Sequence, residues 1–212
     1  MDNKNLILVG GGGHCKSVID VAERAGYIIK GILDLPAKVG STLLGYPVLD
    51  TDENIYKYVD DNHFLVTLGF IKDPLHRIAL HERIQEVGGR LATLISPTAH
   101  VSRHAYVGEG TVVMHHALVN AGATVGRGCI INSFANIEHD TLIGDYCHIS
   151  TGAMVNGTCT VGPSTFFGSG SVLVNNTTII SGCVIAAGSV VRKDLTKRGI
   201  YSGNPAILKI KL

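Results

Sequence analysis

Residues 125–161 read VGRGCIINSFANIEHDTLIGDYCHISTGAMVNGTCTV, with an aliphatic residue at every sixth position. Extended both ways, the register runs from Ile95 to Val191 through 17 consecutive aliphatic or Phe positions, among them Val113, Val125, Ile137, Ile149 and Phe167. Four residues after these positions stand small side chains: Ala117, Ala123, Cys129, Ala135, Thr141, Cys147, Ala153 and onward to Ser189. A fixed short period marks a solenoid, in which each repeat buries its apolar face only on its neighbours. A period of six with one large and one small inward residue fits a triangular β-helix. Three six-residue faces make an 18-residue coil; the aliphatic residue fills the face and the small one lets the chain turn the corner. The period does not set the hand, and general connection rules favour right-handed crossovers.

The chain has 212 residues, enough for one large or two small domains, and a 45% hydrophobic content that supplies ample core. A formal net charge of +1 offers no electrostatic footprint for nucleic acid or an anionic membrane. The 26 Gly, 5 Phe and absence of Trp suit tight turns and a narrow interior. MDNKNLILVGGGGH reads as a strand entering a turn rather than a signal peptide, and no apolar run reaches transmembrane length, so a cytoplasmic protein is expected. Of the five Cys, Cys129, Cys147, Cys159 and Cys183 fall on the small corner position and read as small buried hydrophobes. No CxxC pair argues for zinc, and no metal is expected.

The first 95 residues follow another pattern. NLILVG (5–10) reads as a buried strand, Gly10–Gly13 as a turn, and His14–Ala25 as an amphipathic helix ended by Gly26. Tyr27–Leu33 is a second strand ending at Asp34, and residues 45–50 a short third. Residues 51–58 form a short helix with Thr51 as N-cap. Phe64–Leu68 is a core strand ending at Gly69, and Pro74–Val87 a helix. Strands and helices in alternation argue a small Rossmann-like α/β sheet over 1–95, with the β-helix and a tail over 96–212.

A glycine-rich turn between a strand and a helix aims backbone N–H groups and the helix dipole at an anion. The dinucleotide fingerprint G-x-G-x-x-G, with Asp34 on a ribose, is the obvious reading. It fails because Cys15 and Lys16 stand where the third glycine belongs. So short a domain suits a smaller diphosphate such as a nucleotide sugar; a purely structural turn is the plain alternative.

The six histidines between His100 and His148 face outward, because other residue types fill the core slots. An outward His is ordinarily a solvated one. His139 differs because it lies between Glu138 and Asp140. A carboxylate bonded to one ring nitrogen fixes the tautomer and raises the basicity of the other. One coil later comes Gly157, which should stack over His139, leave open space, and offer a bare N–H to a developing oxyanion.

The hexapeptides resemble those of left-handed β-helix acyltransferases. GGGGH before a helix, an aspartate ending the second strand and TLG ending a later one narrow the resemblance. They point to the sugar N-acetyltransferases that make diacetylbacillosamine, with the related perosamine and sialic-acid-pathway enzymes. G-N-P-A at 203–206 matches the closing element of that family. The resemblance implies an acetyl-CoA-dependent transferase acting on the 4-amino group of a UDP-linked 4-amino-4,6-dideoxy sugar in bacterial surface-glycan biosynthesis. A GDP-amino sugar or sialic-acid-pathway O-acetylation is the alternative. It implies that Gly12, Gly13, His14, Asp34 and Gly69 hold the UDP part, that His139 with Asp140 is the base, and that His148, Gly157, Ser169 and Ala187 contact acetyl-CoA. The subfamily often carries a second acidic residue after Asp34; here it is Leu35.

Ser169 and Ala187 are one coil apart and share a column, whereas His148 is half a coil from His139. His139 and His148 can meet only across an interface between prisms, which argues an oligomer, most simply the C3 homotrimer that the family also implies. A γ-type carbonic anhydrase needs three His on zinc, and the close His–His spacing it requires is absent around His139 and His148. A nucleotidyltransferase subunit would need an Arg-bearing loop that is missing from 10–16. A non-catalytic nucleotide-sugar-binding protein would keep the glycine turn and have no use for His139-Asp140.

Overall fold

The computed structural model describes residues 4–212; Met1 to Asn3, counted with the first domain and its leading strand in the sequence reading, lie outside the described residues. The N-terminal part contains β1 (Asn5–Val9), α1 (Gly13–Arg24), β2 (Ile28–Asp34), β3 (Thr42–Leu43), β4 (Tyr46–Thr51), β5 (His63–Val66), α2 (Leu75–Glu86) and β6 (Arg90–Leu91). The sheet order is β3-β4-β2-β1-β5-β6. All pairs are parallel except β3 with β4. From β1 the chain moves first to one side, through β2 and β4, and then crosses to β5. The switch point therefore lies at the carboxyl end of β1, where open α/β sheets bind ligands.

β1 is buried on both faces, as its continuous apolar run requires. Leu6 and Leu8 pack with Cys15, Val18 and Ile19 of α1. Ile7 and Val9 pack on the other face with Ile55 and with Leu80 and Ile84 of α2. α1 in turn lies on the first face of the β-helix, where Leu94, Val112, Met114 and Ile130 join the same cluster.

One local expectation is corrected. Residues Asp52–Tyr58 form a 3-10 helix, and the side chain of Thr51 at its N-cap makes no capping bond. Asp50 substitutes, its Oδ1 accepting from Thr51 N at 2.8 Å and Asn54 Nδ2 at 2.7 Å. The strand expected over 45–50 is β4, and β3, which pairs with it antiparallel, adds a strand that two residues are too few to announce by a period.

From Leu94–Ile95 onward the chain winds as a left-handed parallel β-helix of two-residue strands. Each strand pairs in parallel with the strand one coil later, as Val112 with Ile130, Leu118 with Asn136 and Thr124 with Leu142. The first face is extended by Gly199–Ser202, on which Ile207–Lys211 folds back antiparallel. The register residues from Val113 to Val191 are almost fully buried. Ile95, which opens the register, is 38% exposed because no coil lies below it.

The corners explain the small polar residues. Thr111 Oγ1 donates to Gly126 O at 2.8 Å, Thr141 Oγ1 to Asn156 O at 3.1 Å and Ser171 Oγ to Ala186 O at 2.8 Å. Cys129 and Cys147 take the same role, each Sγ 3.2 Å from a carbonyl of the next corner. All five cysteines are free and buried. Burial raises the Cys147, Cys159 and Cys183 thiols above their ordinary pKa, so they remain protonated and inert.

A third corner residue adopts left-handed φ at regular intervals of six, from Gly110 to Gly188, with Asp140 among them at 57°. Among the described residues no helix is long and apolar enough to cross a membrane. Phe167, 0% exposed, is the largest register side chain in the prism. Its replacement by Ala should cost about 3–5 kcal/mol, read as a lowered denaturant midpoint with unchanged slope; a change under 1 kcal/mol would mean the coil can collapse around the gap.

Candidate active site

At the corner between the second and third faces, His139 Nδ1 donates to Asp140 Oδ2 at 2.9 Å. The left-handed φ of Asp140 turns its carboxylate back on the preceding ring. With Nδ1 committed as donor, Nε2 carries the lone pair. Glu138, the other acidic neighbour, does not share the ring. Asn120 Nδ2 donates to it at 2.9 Å and Asn136 Nδ2 at 3.2 Å, and these bonds hold its carboxyl below the usual range.

Gly157 lies against the ring one coil later. A Cβ there would stand 2.6 Å from His139 Nε2 and 2.7 Å from Cε1. Gly157 lies outside the left-handed corner positions, so this close approach, rather than its backbone conformation, calls for glycine. The His139 and Asp140 side chains remain 56% and 66% exposed.

A second group of sequence-selected residues meets between the two domains. Thr67 Oγ1 donates to Val9 O at 3.1 Å and also to Gly10 O, tying the end of β5 to the glycine turn. Gly10 has φ 102° and faces Leu68, which a Cβ would meet at 2.7 Å. Gly12 caps α1 and Gly13 begins it; nothing stands within 4 Å of a Cβ built on either. Asp34 Oδ2 accepts from Gly11 N at 3.1 Å. A cleft of about 310 Å³ opens here, lined by Gly10, Gly12, Asp34, Leu35, Asp52 and Leu68 among others.

On the coil side of this group stands His148. Its Nδ1 donates to Phe70 O at 3.0 Å, and its ring lies edge-on to Phe70 and Phe166, at 5.9 and 5.1 Å. The His14 ring is 6.5 Å away, and a Cβ on Gly69 would lie 3.9 Å from His148 Cε1. Burial lowers the pKa of His148 to about 4, with the buried Arg77 guanidinium opposing its charge. Burial, then Arg77 and His148, lower His14 to about 3. Nε2 of His14 is buried without a protein partner among the described residues.

Both histidines are neutral in the fold and protonate in the unfolded chain at an ordinary 6.5. The unfolded state therefore binds more protons between about pH 6.5 and 4, and stability must fall as pH falls through that window. Denaturation midpoints at pH 7.5 and 5 should differ in that sense. The His14→Gln, His148→Gln double variant should flatten the difference; an equal slope in the variant would assign it to other groups.

Ser169 and Ala187 lie at the corner between the first and second faces. Ser169 Oγ is 2.9 Å from Ser150 Oγ, and Gly188 N donates to Ser169 O at 2.9 Å, which stacks the two corners. The structure thus brings Gly12, Gly13, His14, Asp34 and Gly69 around the end of β1, with His148 beside them. It sets His139, Asp140 and Gly157 on a different corner of the same chain.

Sequence reading passed over Phe70 and Arg77. Arg77 Nη1 donates to Val66 O and Leu68 O, both at 2.7 Å, and Nε to Gly128 O at 3.1 Å, joining β5, α2 and the coil. Its signal was present: Arg77, Leu80, His81 and Ile84 form the buried stripe of α2 at helical spacing.

Residues 5–84 match the PglD N-terminal domain family, and residues 122–157 match the bacterial transferase hexapeptide family of six repeats. The acetyltransferase domain of PglB from Neisseria gonorrhoeae is 32% identical, with a TM-score of 0.89, over 98% of this chain and 100% of that one. The chain belongs to the hexapeptide sugar acetyltransferases of the bacillosamine type. It is accordingly an acyltransferase. PerB from Caulobacter crescentus, solved with CoA and GDP-perosamine, is 30% identical over 97% of each chain, with a TM-score of 0.90. WeeI from Acinetobacter baumannii, at 22% identity over 96% of this chain and 99% of its own and a TM-score of 0.80, shares the fold. No curated protein sequence matches.

Proposed function

We propose that the protein transfers the acetyl group of acetyl-CoA to the 4-amino group of a UDP-linked 4-amino-4,6-dideoxy sugar. The observation that carries this reading is His139: Asp140 holds Nδ1, and Nε2 faces the bare backbone of Gly157. His139 takes the proton of the amine as it attacks the thioester. Asp140 orients the ring and stabilises the imidazolium. The Gly157 amide holds the thioester oxygen, and collapse of the intermediate releases the CoA thiolate. Transfer is direct, since the corner thiols are buried.

His148, Gly157, Ser169 and Ala187 contact acetyl-CoA, and Gly12, Gly13, His14, Asp34 and Gly69 hold the nucleotide. Complexes of the similar Neisseria and Caulobacter proteins, with acetyl coenzyme A and with CoA and GDP-perosamine, support both ligand classes. His139 and His148 lie on different sides of one prism, and His139 is open to solvent, which supports a homotrimer with sites between subunits. The 1–95 unit selects the sugar nucleotide and the 96–212 unit performs the transfer, in the cytoplasm, as five free thiols suggest. A GDP-linked amino sugar is the second reading, favoured by the perosamine enzyme.

Thiol release from acetyl-CoA, measured against UDP-, GDP- and dTDP-linked amino sugars, tests both. UDP-4-amino sugars should give the highest kcat/KM. Preference for a GDP sugar would replace the first reading by the second, and no release with any amino sugar would sink both.

A further inference from the structure

Lys38 lies outside every set of residues discussed so far, yet it lines the same cleft as Gly10, Gly12 and Asp34. A diphosphate seated on the amides of the glycine turn would stand beside two carboxylates, Asp34 and Asp52, on the cleft wall. A helix N-terminus offers about half a charge against them. Lys38 is the one permanently charged cation among the residues lining the cleft.

Its position is specific. Lys38 Nζ is 3.0 Å from Asp34 Oδ2, the same oxygen that accepts from Gly11 N at 3.1 Å. Asp34 Oδ1 accepts from Leu35 N at 2.8 Å. One carboxylate thus joins the ammonium to the first amide of the anion cradle. The Asp34 side chain is 9% exposed and that of Lys38 is 47% exposed, so the ammonium is the member of the pair that an incoming ligand can reach. The stem is held as well. Lys38 ends a 3-10 turn begun by Pro36; its N–H donates to Leu35 O at 2.9 Å, and Ser41 Oγ donates to its carbonyl at 2.6 Å.

We propose that Lys38 is a nucleotide-binding residue, whose ammonium offsets the Asp34 charge and contacts the diphosphate of the substrate on the glycine turn. The proposal rests on the nucleotide-sugar reading.

The test is calorimetric binding of UDP and GDP, each beside its own nucleoside, to the full chain as wild type, Lys38→Met and Lys38→Arg. Wild type should prefer one diphosphate over its nucleoside. Lys38→Met should lose about tenfold or more in affinity for that diphosphate, the weight of a charge-assisted bond, with nucleoside affinity and the KM for acetyl-CoA unchanged. Lys38→Arg should keep most of the preference. A diphosphate preference that survives in Lys38→Met overturns the proposal and leaves the nucleotide-sugar reading intact. Equal loss of diphosphate and nucleoside overturns it too, because Lys38 would then only shape the cleft through Asp34. A wild type that prefers neither diphosphate to its nucleoside removes the nucleotide-sugar reading itself. The pair is partly exposed, so melting temperatures of both variants should match wild type.

Discussion

Replacing His139 with Ala should lower kcat for acetyl transfer by about 10²–10⁴-fold, the usual contribution of a positioned general base. The ring is more than half exposed, and its protein partners are Asp140 and the face of Gly157, so its loss removes little packing. The melting temperature should therefore stay close to wild type while activity collapses. The KM values should change little, because the base acts in the transition state and binds neither ground-state substrate strongly. Asp140→Asn should give a smaller loss, since an amide still orients the ring but no longer stabilises its charge. Near-wild-type turnover by His139→Ala would show that the amine loses its proton elsewhere and would remove the proposed mechanism.

The sequence carried this corner because the β-helix is locally determined. Each coil residue contacts the residues 18 before and after it, so the column of His139 and Gly157 follows from counting. Proximity alone did not decide which carboxylate serves the ring. Glu138 and Asp140 are both adjacent in sequence, and only the left-handed φ of the third corner residue turns Asp140 onto Nδ1, while Asn120 and Asn136 hold Glu138.

The interdomain site was half legible. The glycine turn announced itself through Gly10–Gly13, and His14, Asp34 and Gly69 stood at element ends. What joins them to His148 and the coil is a pair of long-range contacts with no period: Phe70 O on His148 Nδ1 and Arg77 on Gly128 O. Arg77 was hidden by its charge. A guanidinium on an apolar helix face reads as an exposed exception until its acceptors, carbonyls at the ends of other elements, are known.

Gly157→Ala should be the most informative change of a single methyl group in the molecule. Alanine keeps the backbone N–H proposed to hold the thioester oxygen, and Gly157 needs no left-handed conformation, so neither a donor nor backbone comfort is lost. Reducing the freedom of the unfolded chain should even favour the folded state slightly, by about 0.4–1 kcal/mol, partly cancelled by the crowding. The only certain consequence is the Cβ, 2.6 Å from His139 Nε2 in the present geometry. That distance is too short for any contact, so the ring must move. It cannot move toward the coil, which is filled by the next turn. It must swing outward, breaking the bond to Asp140 or carrying Nε2 away from the amide. A displacement of about 1 Å at a reacting group costs about 10²-fold in rate. The variant should therefore melt at or slightly above the wild-type temperature and turn over at least about 10²-fold more slowly. Full activity in Gly157→Ala would mean that His139 works from a position away from Gly157, and the pairing of base and oxyanion donor at this corner would have to be abandoned.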